Sequence, residues 1–404
     1  MFGTLFIKEC RQVLKSLVYY IYVVIFVLFI TSQMSSEDKL QEPKPGQSYY
    51  GETVIRDDAL TMEGTLANLL QAVCRNSFAT YPIGFYREVK LTDDEMVQVK
   101  AVLERCTGKS FEILEEEMEE YYAQSGIGDT SYRVAVKEGF TYAEFEAAME
   151  EVCDLVGKGS FYEKESYENR IHVPMTYEQA KEEFDALCTK DRLTRAYMRL
   201  FCDYAGIVLS VLPIFIGVSR ALRDKRAKVQ QVIFSKSASG TQIIVSRYLA
   251  NLVMISIPVF LTALLLQQPF YYRAQTMGIQ GDIWAFITVP GIWLLPEIMT
   301  VLAVSFLITE FTDTIWTIFL QVAWAFTSLF SATTLVGDFG LKLVARWNTL
   351  GKTLLYSSLE KEFLFNRGYY ILLAVVCVIL TVFVYEKKRR GGESVHEKLR
   401  KFSN

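Results

Sequence analysis

The chain carries few residues that could do bond-making chemistry. Its two histidines, His172 and His396, have no partner at metal-ligand spacing, so no zinc site is expected. Gly351-Lys352-Thr353 resembles the end of a phosphate-binding loop, but Arg346 stands where that loop needs its first glycine. No nucleophile–base arrangement stands out. The expectation is therefore a chain that is not an enzyme, with no cofactor bound by the chain itself. Glu297, directly after Pro296, is an acid inside an apolar run. A carboxylate at mid-bilayer costs at least about 2.5–3.5 kcal/mol, so it must face protein or water. It lines a substrate or proton route with Pro296, or it hydrogen-bonds between helices at a proline kink. Glu310 and Asp313 read as solvated cap residues, and Asp203 as a residue near the headgroups.

Four cysteines recur in a pattern. LTMEGTLANLLQAVC (60–74), LTDDEMVQVKAVLERC (91–106), FTYAEFEAAMEEVC (140–153) and MTYEQAKEEFDALC (175–188) each open on an apolar residue and Thr and close on Cys. Thr92/Glu95, Thr141/Glu144 and Thr176/Gln179 have capping-box spacing. Phe-Tyr elements, GFYREV (84–89) and SFYEKES (160–166), lie between the members of each pair. The pattern predicts two tandem helix–loop–helix units in one small all-α domain. Cys74, Cys106, Cys153 and Cys188 are an even set, for which three pairings are possible. The tandem design favours Cys74–Cys106 and Cys153–Cys188, each stabilising by about 3 kcal/mol. The alternative is four equivalent small buried thiols. Cys10, Cys202 and Cys377 read as packing.

The elements that must position these residues are mostly apolar. The 404 residues are 51 % hydrophobic, with a mean hydropathy of +0.19. Residues 31–200 hold 33 acidic and 19 basic side chains, whereas the remainder holds 13 and 23. That asymmetry argues for two compartments, and no basic aromatic surface for nucleic acid is present. The expected order is an amphipathic interfacial helix (1–16), with Phe2, Phe6, Cys10, Val13, Leu14 and Leu17 on one side and Lys8, Arg11 and Lys15 on the other. A first span (17–34) follows, read as retained because no small-residue cleavage pattern comes after it. The acidic domain (35–198), a second span (199–219), a basic segment (220–240) and a third span (241–267) come next. Spans at 283–308 and 314–335, an outer amphipathic segment (336–368), a sixth span (369–386) and a basic tail (387–404) complete it.

In the amphipathic segment Leu343, Trp347, Leu350 and Leu354 keep one face between Lys342, Arg346 and Lys352, predicting a helix at the membrane interface. The inner segments hold sixteen Lys/Arg and the two short outer loops six, which puts both termini in the cytoplasm and the acidic domain outside. The fold class is thus an all-α membrane protein with six transmembrane helices, an N-terminal amphipathic helix and an inserted extracytoplasmic domain. Within 220–240, Val229, Val232, Ile233 and Phe234 form an apolar ridge among Arg220, Arg223, Lys225, Arg226, Lys228 and Lys236. A cytosolic partner is expected to cover it.

This frame, 1–34 and 199–404, resembles the permeases of type-two ATP-binding-cassette (ABC) exporters, and VQQVIFSKSASGTQIIVSRYLA (229–250) and NRGYYILLAVVCVILTVFVYEKKRR (366–390) look like clostridial-type members. The resemblance implies a bacterial cell membrane, a second permease, identical or a sister chain, and a cytoplasmic ATPase dimer that holds the ATP and Mg. It also implies that Val229, Val232, Ile233, Phe234 and Ser235, with Arg223 and Lys228 beside them, dock on that ATPase. Members often carry Glu on the approach to this helix; here the only acid is Asp224. A four-span mechanotransmission permease, a membrane-anchored sensor or receptor, and a secondary transporter are the alternatives. No inverted repeat among the spans supports the last.

Overall fold

The structure, a computed structural model, describes residues 2–34, 42–47, 49–54, 57–82, 86–125, 132–168, 172–331 and 335–391. His396, the His172 side chain, Gly84, Phe85 and all but the first five residues of the basic tail lie outside the described residues. The protein is mostly helical (73 %). The chain divides into two compact units, Met1–Glu42 with Lys181–Asn404, and Pro43–Ala180.

Helix α1 (Phe2–Val13) meets α2 (Leu17–Gln33) at a 68° bend around Ser16. The buried edge of α1 is Glu9 and Val13, one turn apart, while Phe2 and Leu14 are exposed. The cationic side therefore does not take the whole polar set, because Glu9 turns inward. On α2 the buried face is Tyr19, Tyr22, Phe26 and Ile30, at helical spacing.

The unit 43–180 holds α3 (Asp58–Arg75), α4 (Asp93–Thr107), α5 (Phe111–Ser125), α6 (Tyr142–Val156) and α7 (Lys164–Tyr167). Its core joins Leu66, Leu70 and Val73 of α3 to Val99 and Leu103 of α4 and to Phe145, Met149 and Val152 of α6. The capping pairs form as spaced. Thr92 N–H donates to Glu95 Oε2 at 2.8 Å and Thr141 N–H to Glu144 Oε2 at 2.7 Å, while Glu95 and Glu144 N–H donate back to the Thr hydroxyls. Thr176 N–H donates to Gln179 Oε1 at 3.0 Å. Two departures from the all-α expectation appear. Helix α3 starts early, at Asp58, because Asp57 caps it by accepting from Leu60 N–H. Four short strands also form: β1 (Glu52–Val54) pairs antiparallel with β4 (His172–Pro174), and β2 (Phe78–Thr80) with β3 (Arg87–Val89). Ser160 bridges Thr80, so the second Phe-Tyr element lies beside the strand that pairs with the first.

The chain leaves that unit within α8 (Tyr177–Thr189) and continues as α9 (Thr194–Leu209), α10 (Leu212–Arg226), α11 (Gln230–Phe234), α12 (Gly240–Thr276), α13 (Ala285–Trp293), α14 (Leu295–Thr312), α15 (Trp316–Phe330) and α16 (Thr353–Arg389). Three helices, α12, α14 and α16, are long and apolar enough to cross a membrane, or up to five spans exist if the bent pairs α1–α2 and α9–α10 each count as one. Helix α12 absorbs the first part of the expected loop 267–282, keeping Pro258 and Pro269 inside it. Proline has no N–H to give the carbonyl one turn back. Pro258 thus leaves the Met254 carbonyl free, and the Tyr19 hydroxyl donates to it at 3.1 Å while Tyr22 donates to Ile255 at 2.7 Å. Those two tyrosines fix α2 on α12.

The expected amphipathic helix over 336–368 is corrected. Residues 336–352 form an irregular loop with a bridge between Val336 and Trp347, and the helix starts at Thr353 and runs without a break to Arg389. Phe339, Leu343, Val344, Ala345 and Trp347 are all buried in the helical unit. Gly337, at φ +85°, supplies a backbone shape that side chains resist. Leu343, Trp347 and Leu350 therefore share helical spacing without sharing a helix.

Candidate functional site

The connector between α10 and α12 has two faces. Val229 (40 % exposed) and Val232 (57 %) point outward, with Lys228 and Arg223 exposed nearby. Ile233 and Phe234 turn inward, packing with Ala238, Ile243, Ile244 and Tyr385, whose ring lies 5.4 Å from that of Phe234. The expected ridge is thus split, half outward and half taken by the protein's own helices. The reason is the length of α11, a single turn that cannot keep four apolar residues on one side. Ser235 Oγ donates to the Val232 carbonyl at 2.9 Å.

The C-terminal end of α16 grips the chain at the carboxyl end of this turn, from Phe234 to Gly240. Arg389 donates to the carbonyl oxygens of Phe234 (3.0 Å), Lys236 (2.6 Å) and Ala238 (2.8 Å). A guanidinium there meets carbonyls that a helix end leaves unpaired. Glu386 Oε1 accepts from Gly240 N–H at 2.5 Å, placing a carboxylate at the positive end of α12. A Cβ at Gly240 would collide with that carboxylate, so a larger residue there would displace Glu386 from the helix end. Glu310 and Asp313, read from sequence as solvated caps, are instead paired: Lys388 Nζ lies 3.4 Å from Glu310 and 2.8 Å from Asp313, and Lys225 is 3.4 Å from Asp313. Glu310 is buried.

A second cluster ties the connector to α1. Glu9 accepts from Arg220 Nε at 2.7 Å and Nη2 at 2.6 Å, and Arg247 Nε lies 3.6 Å from Glu9. Asp224 pairs with Arg247 and, at 3.4 Å, with Arg220. Two carboxylates and two guanidiniums balance here, with Glu9, Arg220 and Arg247 buried and Asp224 partly so. Glu9 and Arg247 escaped sequence reasoning. The usable signal was an acid at helical spacing from Val13, amid cations, on a helix otherwise expected to lie in headgroups.

Glu297 is fully buried, with Arg367 Nη1 3.8 Å away and neither carboxylate oxygen hydrogen-bonded among the described residues. The helix-to-helix hydrogen bond expected as one reading is absent among the described residues; an ion contact between α14 and α16 stands in its place. Gly206 of α9 admits the carboxylate, since a Cβ there would sit 3.3 Å from Oε2. Pro296 starts α14, after the break at Leu294. Arg367 spends its donors on the carbonyls of Trp293 (2.9 Å) and Leu343 (3.1 Å) and on Asn366 Oδ1 (2.9 Å).

Asp203 is not a bland headgroup residue. It is fully buried and accepts from Arg346 Nε at 2.8 Å and from Trp347 N–H at 2.6 Å, holding the loop 336–352 in place. Asp191 pairs with Arg199 and accepts from Thr353 Oγ1 at 2.6 Å. The four repeat cysteines stand as free thiols, so neither expected pair is formed in this structure. Cys106 lies in the core, Cys74 and Cys153 are half-buried, and Cys188 belongs to the other unit. Burial pushes the Cys74 and Cys106 thiols up to about 11, which leaves little thiolate at neutral pH.

The apolar helices are compatible with a membrane protein. Compared with known proteins, the chain matches no family description, no curated protein and no solved structure.

Proposed function

We propose that this chain is the membrane-spanning permease subunit of a type-two ABC exporter, moving a substrate out of the cell with ATP hydrolysed on a separate ATPase dimer. In this reading the chain crosses six times, with both termini and the connector in the cytoplasm and the acidic unit outside. A second permease, identical or a sister chain, completes the pathway, and ATP and Mg sit on the ATPase. The observation that carries the reading is α11. Between α10 and the long apolar helix α12 it presents Val232 outward, with Val229 at its amino end, and its carboxyl end is gripped by Glu386 and Arg389, so a push on it would be passed to α12 and α16. Docking then falls to Val229 and Val232 with Lys228 and Arg223 at their rim, while Ile233, Phe234 and Ser235 support the turn from behind. Glu297 and Pro296 sit where α9, α14 and α16 meet, and a polar cargo or proton reaches them only when those helices part.

The test is purification of the tagged full chain from its native membrane. A soluble ATPase should accompany it, and Val232→Asp should release that subunit and remove ATP hydrolysis from the complex. Purification without any such ATPase, or hydrolysis unchanged by Val232→Asp, would overturn the reading. An exposed valine changed to aspartate leaves the core intact, so failure to fold does not confuse the result.

A further inference from the structure

A cleft of about 430 Å³ opens where α1 bends into α2, against the end of α10 and the flank of α12. Its wall carries four cations, Lys15, Arg220, Arg223 and Arg226, and no acid. Arg220 is neutralised by Glu9, and Arg223 donates to Gln12 at 3.1 Å. Lys15 and Arg226 make no ion pair among the described residues, and both are exposed. The amino end of α2 faces the same space through Ser16, whose side chain makes no cap hydrogen bond. A helix amino end with unpaired cations favours an anion.

A second, independent observation points to a ligand. Asn251 of α12 lines the cleft and is fully buried, yet its Oδ1 has no partner among the described residues. Its amide orientation is fixed, because Nδ2 donates to the Arg247 carbonyl at 2.7 Å. A buried acceptor without a donor is costly, so a hydroxyl or amine belongs there. The cleft also has an apolar side at Tyr19 and Ile216.

We infer that this cleft binds a phosphate ester that carries a hydroxyl group, the phosphate lying among Lys15, Arg223 and Arg226 and the hydroxyl donating to Asn251. A hydroxylated anionic phospholipid headgroup has this chemistry, and so does a soluble phosphate. The inference stands on the cleft and on the apolar helices around it; it does not depend on export, and its failure would leave the exporter reading untouched.

The experiment uses the full chain, delipidated in neutral detergent, with phosphatidylglycerol, phosphatidylcholine or inorganic phosphate added, and reads thermal stabilisation and retained lipid by native mass spectrometry. Phosphatidylglycerol should protect and phosphatidylcholine should not. Protection by phosphatidylglycerol alone assigns the site to a lipid headgroup, and equal protection by inorganic phosphate assigns it to a soluble phosphate. A cation near an anionic surface is worth about fivefold in affinity, so Arg223→Gln with Arg226→Gln should weaken binding roughly 25-fold. Lys8→Gln with Lys236→Gln removes two exposed cations outside the cleft wall and should leave binding near wild type. Equal loss in the two double variants would mean diffuse attraction and overturn the site, as would equal protection by phosphatidylglycerol and phosphatidylcholine. Asn251→Leu should weaken phosphatidylglycerol further, and if it fails to fold, Lys15→Gln supplies the same comparison at an exposed residue.

Discussion

Charged side chains do most of the positioning in the helical unit, and their pairing sets what each substitution costs. Glu9 is the sharpest case. Removing it leaves Arg220 and Arg247 sharing Asp224 alone, away from water. Breaking a buried pair from one side costs about 3–5 kcal/mol, because the partner charge stays behind. Glu9→Ala should therefore lower the thermal unfolding midpoint of the purified chain substantially. Glu9→Ala with Arg220→Met should recover a large part of the loss, since the stranded charge goes too. If the double variant is no better than the single one, the cluster contributes by packing and not by charge. Little of this was legible in sequence, because a single acid on a basic amphipathic helix reads as a solvated residue. Asp203 was missed for a related reason: its partners Arg346 and Trp347 are more than a hundred residues away, and nothing local announces them.

Local signals served well at the level of elements and failed where tertiary contacts decide. The capping boxes at Thr92 and Thr141 formed as spaced, because such a box needs only residues three apart. Their carboxylates titrate accordingly. The Thr92 backbone N–H, then its hydroxyl, holds Glu95 below the ordinary carboxyl range, and Thr141 does the same for Glu144. A carboxyl depressed on folding adds stability that is fully present above its unfolded value, near pH 4.3, and is lost as pH falls through the folded value. The first turns of α4 and α6 should thus be better protected from hydrogen exchange than in Thr92→Ala and Thr141→Ala at pH 7. That gap in protection factor should narrow by pH 3; a gap that stays constant would remove the boxes as its cause. The segment 336–352 shows the opposite outcome. Leu343, Trp347 and Leu350 have helical spacing, but Gly337 and the pull of Asp203 make a loop instead. Connector and clamp also depend on distant residues. Arg389→Ala strips the donor from three carbonyls around α11. Exchange over 229–240 should then rise at least several-fold while the global unfolding midpoint moves little, and an unchanged connector would show that the clamp is not what orders it.

At the scale of the whole molecule, α15 decides how many crossings the proposed topology holds. Three helices qualify as spans by themselves and two bent pairs raise the number to five, while Trp316–Phe330 has only fifteen residues. At 1.5 Å per residue that is about 22 Å, short of the roughly 30 Å hydrocarbon core. Yet its neighbours lie at opposite ends of the helical unit. Asp313, just before it, pairs with Lys388 at the connector end of α16. Ser331, just after it, accepts from Lys342, in the loop that Asp203 and Asn366 hold at the other end. A short apolar segment can still cross where the bilayer thins or flanking residues reach the interface. Gln321 of α15 also bonds Ser305 at mid-helix, as a span inside a bundle would. The prediction is that a cysteine at Lys228 and a cysteine at Asp338 react with a membrane-impermeant maleimide from opposite sides of sealed vesicles. Cysteines placed at Thr314 and Lys228 should react from the same side. If Asp338→Cys instead labels from the connector side, α15 is a re-entrant hairpin arm, only four crossings of the proposed topology precede α16, and the loop 336–352 lies on the same side as the connector.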